Sequence, residues 1–253
     1  MIPIKKSPSP KELEKLRREA TQKHLSPEEA YKTLSHPLKA TILEQLIQEQ
    51  GHLCAYCMRR IPDERDMPAT VQKASIEHFY PLNPISHEDR EQGLDYQNML
   101  AVCSGNRGLR HTRKRKDFTC DARRNSKSIL TVIPINKETL SEIYYHSDGR
   151  IAAYNSTIDN DLNNELNLNC TADAVQLPYQ RKNALVPLLD EIEELILHFD
   201  REVVRQFCAT RLQQFEDETV PKSEYVGILI WWLKDYIKGL DASLIGKEVE
   251  ICP

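Results

Sequence analysis

The sequence predicts an α+β protein, mostly α-helical, in which an irregular, metal-braced segment lies between two helical parts. Three observations carry this. Helix-start chemistry and apolar spacings of three and four residues fill the first 50 positions. A stretch from 52 to about 135 holds four of the seven cysteines but only short apolar pieces. Amphipathic periodicity returns after Leu185 and continues to Leu240. These observations divide the chain into a helical segment at 1–50, a cysteine-bearing domain at 51–135 and a mainly helical domain at 136–253.

In the first part, Ser9-Pro10-Lys11-Glu12 and Ser26-Pro27-Glu28-Glu29 each place a capping hydroxyl before proline in a first turn. After Pro37, residues Leu38, Ile42, Leu43, Leu46 and Ile47 share one helical face, and Gly51 ends that helix. The middle part promises little hydrophobic core, so a structural metal is the natural brace. Further on, Asp148-Gly149 predicts a hairpin joining 143–145 to 151–153. An asparagine-rich run follows. A helix is expected over 185–215, with Leu188, Ile192, Leu195, Phe199, Val203 and Phe207 in step, and another over 223–240. The acidic cluster at Asp190, Glu191, Glu193 and Glu194 reads as the solvated side of the first, and Trp231 and Trp232 read as core.

Composition excludes several classes. The 253 residues are 40% hydrophobic, which argues against wholesale disorder, and 8 glycines exclude a collagen-like array. The longest apolar run has 8 residues, against about 20 for a membrane span. No secretion signal is read at the start and the cysteine count is odd, so a soluble, cytoplasmic protein with no membrane partner is expected. The net charge of −4 conceals a local excess: nine Lys/Arg against two Asp between Cys103 and Lys127. Residues Arg107, Arg110, Arg113, Lys114, Arg115, Lys116, Arg123, Arg124 and Lys127 are therefore candidates for phosphate contact, the plain alternative being a solvated loop.

Cys54-Ala55-Tyr56-Cys57 has the bite of a zinc knuckle or of a thiol redox pair. Cys103 and Cys120 lie downstream in the same polar region, separated by 16 residues, and would complete a four-thiolate structural zinc site. Cys170, Cys208 and Cys252 read as unrelated thiols. Between the cysteine pairs, Glu77-His78 offers an oxygen ligand for a hard divalent cation beside an imidazole able to take a proton from water.

Taken in order, Cys54-x-x-Cys57, Glu77-His78-x-x-Pro81, Asn98-x-Leu100-x-x-Cys103 and Cys120-Asp121 resemble the HNH nucleases, whose ββα-metal finger is braced by a zinc knuckle. Residues 48–57, 76–79, 100–106 and 120–123 are similar to one branch of these, the PtuB-like endonucleases of Septu and retron-associated anti-phage defence. The resemblance covers about 35–135 and implies an HNH finger there. It implies His78 as general base, Glu77 as a ligand of catalytic Mg²⁺ or Mn²⁺, and Asn98 as the residue orienting His78. Asp121 is implied as the closing metal ligand, with Asn106 and Asn125 as competitors for that role. It further implies an ABC-type ATPase partner, PtuA, in some relatives a retron reverse transcriptase with its msDNA, and a DNA or tRNA substrate. The competing expectation is a non-catalytic zinc-finger module that binds nucleic acid or a partner protein.

Overall fold

Ser26 and Ser35 start two helices in the way their side chains dictate. The structure, a computed structural model, describes residues 1–61, 74–83, 93–107, 114–124, 129–172 and 176–248. Helix α1 spans Lys11–Gln22, α2 Pro27–Lys32 and α3 His36–Glu49. Ser26 and Glu29 form a reciprocal capping box on α2, and the Ser35 hydroxyl caps α3. At α1 the capping position is Pro10 rather than Ser9, and no side chain caps it. Ile42 and Leu46 on α3 are fully buried, each worth roughly 1.5–3 kcal/mol relative to exposure. Gln50 caps α3 and Gly51 follows at φ +63°, the left-handed turn the sequence requires there.

The middle segment is better packed than its composition promises. Strand β1 (Ser75–His78) pairs antiparallel with β2 (Met99–Val102), with Glu77 opposite Leu100 and His78 opposite Met99. Leu53, Tyr56, Ile61, Leu94, Tyr96 and all four residues of β2 are 0–2% exposed. These side chains come from separate turns and share no period, so periodicity does not reveal them. The buried Gln50 amide joins them. Its Nε2 donates to the carbonyls of Leu53 and Ala101, and its Oε1 accepts from the Ala101 amide, each at 2.8 Å. The extended N-terminus is strapped across the same region: the Ile4 amide donates to the Pro134 carbonyl, and Lys6 Nζ to that of Met99.

Helix α4 (Cys120–Arg123) follows β2, then α5 (Lys137–Ser141). The expected hairpin forms from β3 (Ile143–Tyr145) and β4 (Ile151–Ala153), with Gly149 at φ +85° and packed against the Pro178 carbonyl. After α6 (Ser156–Asn160) and a wide π turn, the asparagines act as clasps for backbone. Asn169 donates to the Ile151 carbonyl and accepts from its amide, while Asn167 Nδ2 donates to the carbonyls of Lys116 and Phe118.

The single helix expected over 185–215 is two: α7 (Leu177–His198) and α8 (Arg201–Glu216). Phe199 is extended, and the Asp200 carboxylate caps the new helix by accepting from the Val203 amide at 3.0 Å. A strong cap at the turn overrides the apolar period, and Phe199 and Val203 are left exposed. Arg211 returns to pair with Glu191 across the two helices. Helix α9 (Val226–Glu248) packs on both, with Trp231 and Trp232 half-buried against the core. No described helix is long and apolar enough to cross a membrane. Core residues from all three segments join in one cluster.

Candidate metal centre and reaction site

Four thiols converge first. Cys54 and Cys57 lie in a tight turn whose ends pair at Leu53 and Arg60, and the Ala55 amide donates to the Ala101 carbonyl of β2. Met58, at φ +62°, lets the chain reverse behind Cys57. Cys103 leaves β2 directly, and Cys120 opens α4. The 16 residues between them are closed by Gly105, at φ +57°, where any Cβ would lie 2.1 Å from the Thr119 carbonyl oxygen. The Thr119 amide donates back to the Gly105 carbonyl, and the Cys120 amide to that of Leu166. All four cysteines are buried, with their sulfurs within 4.8 Å of one another.

The sulfur separations are 3.8 Å for Cys54–Cys120, 3.7 Å for Cys57–Cys103 and 3.8 Å for Cys103–Cys120. Four sulfurs at about 2.3 Å from one tetrahedral zinc are about 3.8 Å apart, so the cluster has the dimensions of a closed structural metal site. Without a cation it cannot hold four anions. Thiol donation from Cys103 holds Cys57 well below its usual range, while the neighbouring sulfurs push Cys120 well above it. Burial disfavours the Arg59 cation, but the sulfur anions beside it prevail and raise its pKa. Among the described residues, Cys170 and Cys208 are buried thiols outside the cluster; Cys252 lies outside the described residues.

The second convergence is at the end of β1. Glu77 and His78 are 8% and 7% exposed. Burial first, and the neighbouring Asp121 carboxyl second, raise Glu77 to about 8. Arg124 offsets part of this. Its Nη1 pairs with Glu77 Oε1 and donates to the His78 carbonyl, and its Nη2 donates to the Phe79 carbonyl at 2.6 Å. Burial lowers His78 to about 4, so the ring is neutral at pH 7. Its Nε2 lies 3.2 Å from the Gly93 carbonyl, which can only accept; Nε2 therefore carries the proton and Nδ1 the free lone pair. Gly93 is seated on α2, where a Cβ would lie 2.0 Å from the Pro27 carbonyl oxygen. Tyr31 of α2 meets the His78 ring edge to face at 4.8 Å.

Asn98, 1% exposed, braces the backbone after His78: its side chain accepts from the Tyr80 amide at 2.8 Å and donates to the Tyr80 carbonyl at 3.0 Å. Asn106 is committed elsewhere, accepting from Arg59 and donating to the Asp117 carbonyl. Asn125 lies outside the described residues. The basic strip needs one correction. Arg124 is buried under the carboxylates and does not reach phosphate, because its guanidinium is spent on Glu77 and two carbonyls. Arg107, Lys114, Arg115 and Lys116 are exposed, and Arg123 is half-buried with its guanidinium on the carbonyls of Asn164 and Arg115. Arg110, Arg113 and Lys127 fall outside the described residues.

Tyr31, Gly93 and the true role of Arg124 escape sequence reasoning. The first two touch His78 only through tertiary packing, and the third reads as one more charge in a basic run. Comparison with protein-family models and with curated proteins returns no match for this chain.

Proposed function

We propose that the chain is a metal-dependent endonuclease of the HNH type that cleaves phosphodiester bonds, with a structural zinc ion in the four-cysteine cluster. The observation that carries this reading is a buried carboxyl, Glu77, with Asp121 in its field, directly before a neutral imidazole whose Nδ1 lone pair is uncommitted to the Gly93 contact. Glu77 is buried near a second, half-exposed carboxyl, Asp121, at a cost that a divalent cation would relieve, and oxygen donors suit Mg²⁺ or Mn²⁺. Arg124 occupies the counter-charge role in part. Such a cation supplies charge stabilisation for the leaving oxygen and the phosphorane.

The residues then divide the work. His78 accepts a proton at Nδ1 from the attacking water, and the Gly93 carbonyl keeps Nε2 protonated so that the ring presents the correct nitrogen. Tyr31 closes one side of the ring, and Asn98 fixes the backbone turn that follows it. Arg107, Lys114, Arg115 and Lys116 supply sequence-independent attraction for a DNA or tRNA backbone. By the same resemblance, an ABC-type ATPase of the PtuA kind is the proposed partner in anti-phage defence, in a retron context together with a reverse transcriptase and its msDNA.

The test is cleavage of duplex DNA and of tRNA by the chain, alone and with such an ATPase, with and without Mn²⁺. Cleavage that needs the cation and falls by at least about 100-fold in His78→Ala, at unchanged zinc content, is expected. Cleavage indifferent to His78 would overturn the reading. The burial of Glu77 by Arg124 favours one alternative, a zinc module that binds nucleic acid without cutting it. That module would retain nucleic-acid affinity and show no cation-dependent product.

A further inference from the structure

A cleft of about 610 Å³ opens between α5, β3 and the facing ends of α8 and α9. None of its lining residues belongs to the cysteine cluster or to the Glu77–His78 site. Its apolar wall holds three aromatic rings. Tyr145 is buried, with its centroid 6.0 Å from that of Trp231, while Phe215 and Trp231 are half-buried. Gly227 lets α9 close on this wall, since a Cβ there would lie 3.0 Å from the Tyr145 hydroxyl oxygen. The volume falls within the range of about 300–1,000 Å³ typical of small-molecule sites. Three ammonium groups line the same cleft against one carboxylate. Lys234 pairs with Glu216 at 2.6 Å and is neutralised. Lys222 is held with its stem against Gly51 and its amide donating to the Gly51 carbonyl at 3.0 Å. Among the described residues its ammonium donates to the Glu218 carbonyl, an uncharged acceptor. Lys137, exposed at the start of α5, has no partner among the described residues.

We propose that this cleft binds an organic anion with an aromatic body: Tyr145, Phe215 and Trp231 cover the rings, and Lys137 and Lys222 take the charge. Half-exposed rings alone would accept any apolar molecule. Two cations without a counter-ion beside them select an anion, because opposite charge is attracted into the cleft and a cation is repelled from it. The site stands apart from the metal-binding reading above and does not depend on it.

The full chain is titrated with 8-anilinonaphthalene-1-sulfonate and with N-phenyl-1-naphthylamine, which carries the same rings without the sulfonate. The sulfonate saturates at one per chain, its emission excited by transfer from Trp231 and Trp232, and it binds more tightly than the neutral probe. Lys137→Glu raises the Kd of the sulfonate about fivefold, the upper end for an exposed ion pair, and leaves that of the neutral probe unchanged. An acid is well placed in the first turn of α5, so this variant keeps its fold. Lys15→Glu makes the same change of charge on exposed α1 and leaves both probes unaffected. Phe215→Ala removes a ring from the wall and weakens both by about fivefold. Failure to saturate at one per chain overturns the proposal, as does equal affinity for the two probes. So does an equal response to Lys137→Glu and Lys15→Glu, or a Phe215→Ala protein that binds both probes as wild type does.

Discussion

Arg124 pairs with Glu77 from below the strand end, and the same guanidinium holds the carbonyls of His78 and Phe79. One buried cation thereby fixes both the carboxylate and the backbone of the neighbouring histidine. Arg124→Ala removes all of this and leaves Glu77 buried beside Asp121. With Glu77 raised to about 8, what is lost at pH 7.5 is chiefly the charged donor to the His78 and Phe79 carbonyls; hydrogen bonds to charged groups are worth roughly 1.5–3 kcal/mol each, and a loss of at least that order in urea unfolding is expected. Nucleic-acid affinity should be little changed by Arg124→Ala. By contrast, Arg115→Ala with Lys116→Ala should weaken binding. For duplex DNA, the slope of log affinity against log salt should become shallower by about 0.9 for each phosphate that is no longer neutralised.

The four-cysteine cluster makes a separate prediction about metal. Purified protein should carry one zinc per chain, and Cys120→Ser should lose most of it. Because Tyr56, Tyr96 and Leu100 are packed into the continuous core, loss of zinc should loosen the middle segment without unfolding α7–α9. Hydrogen exchange should show protection lost in β1, β2 and the Cys54–Cys57 turn and retained in the C-terminal helices. Uniform loss of protection along the chain would contradict this.

The strap at Lys6 gives a pH dependence. Its ammonium lies 3.2 Å from Glu49 Oε2 and over the Tyr96 ring, with 4% of the side chain exposed. Burial, only partly offset by Glu49, lowers its pKa from 10.5 to about 8. Between pH 8 and 10.5 the unfolded chain therefore binds more protons than the folded one, so this group adds stability as pH rises through that window. At about 1.4 kcal/mol per pKa unit, the gain is on the order of 1–3 kcal/mol. Urea unfolding of wild type and Lys6→Met between pH 7.5 and 10 reads it as a widening difference in favour of wild type. A difference independent of pH would refute the assignment.

Local signals are legible in the sequence and tertiary ones are not. Ser26 with Glu29, Gly51 and Asp148-Gly149 each specify a cap or turn within a few residues, and each forms where expected. The four cysteines are also readable as one set, although the 16 residues between Cys103 and Cys120 hide how Gly105 brings them together. Where a local cap competes with a long apolar period, at Phe199–Asp200, the cap wins. Arg124 misleads because a charge run gives no sign of which member turns inward, and Tyr31 escapes because its only link to His78 is spatial.

The most direct test of the account is anomalous diffraction from a crystal of the full chain soaked in Mn²⁺, recorded at the zinc and manganese edges. The account predicts a zinc peak about 2.3 Å from each sulfur of Cys54, Cys57, Cys103 and Cys120, and a manganese peak between Glu77 and Asp121. Sulfurs without metal, or carboxylates that take up no manganese, would contradict it.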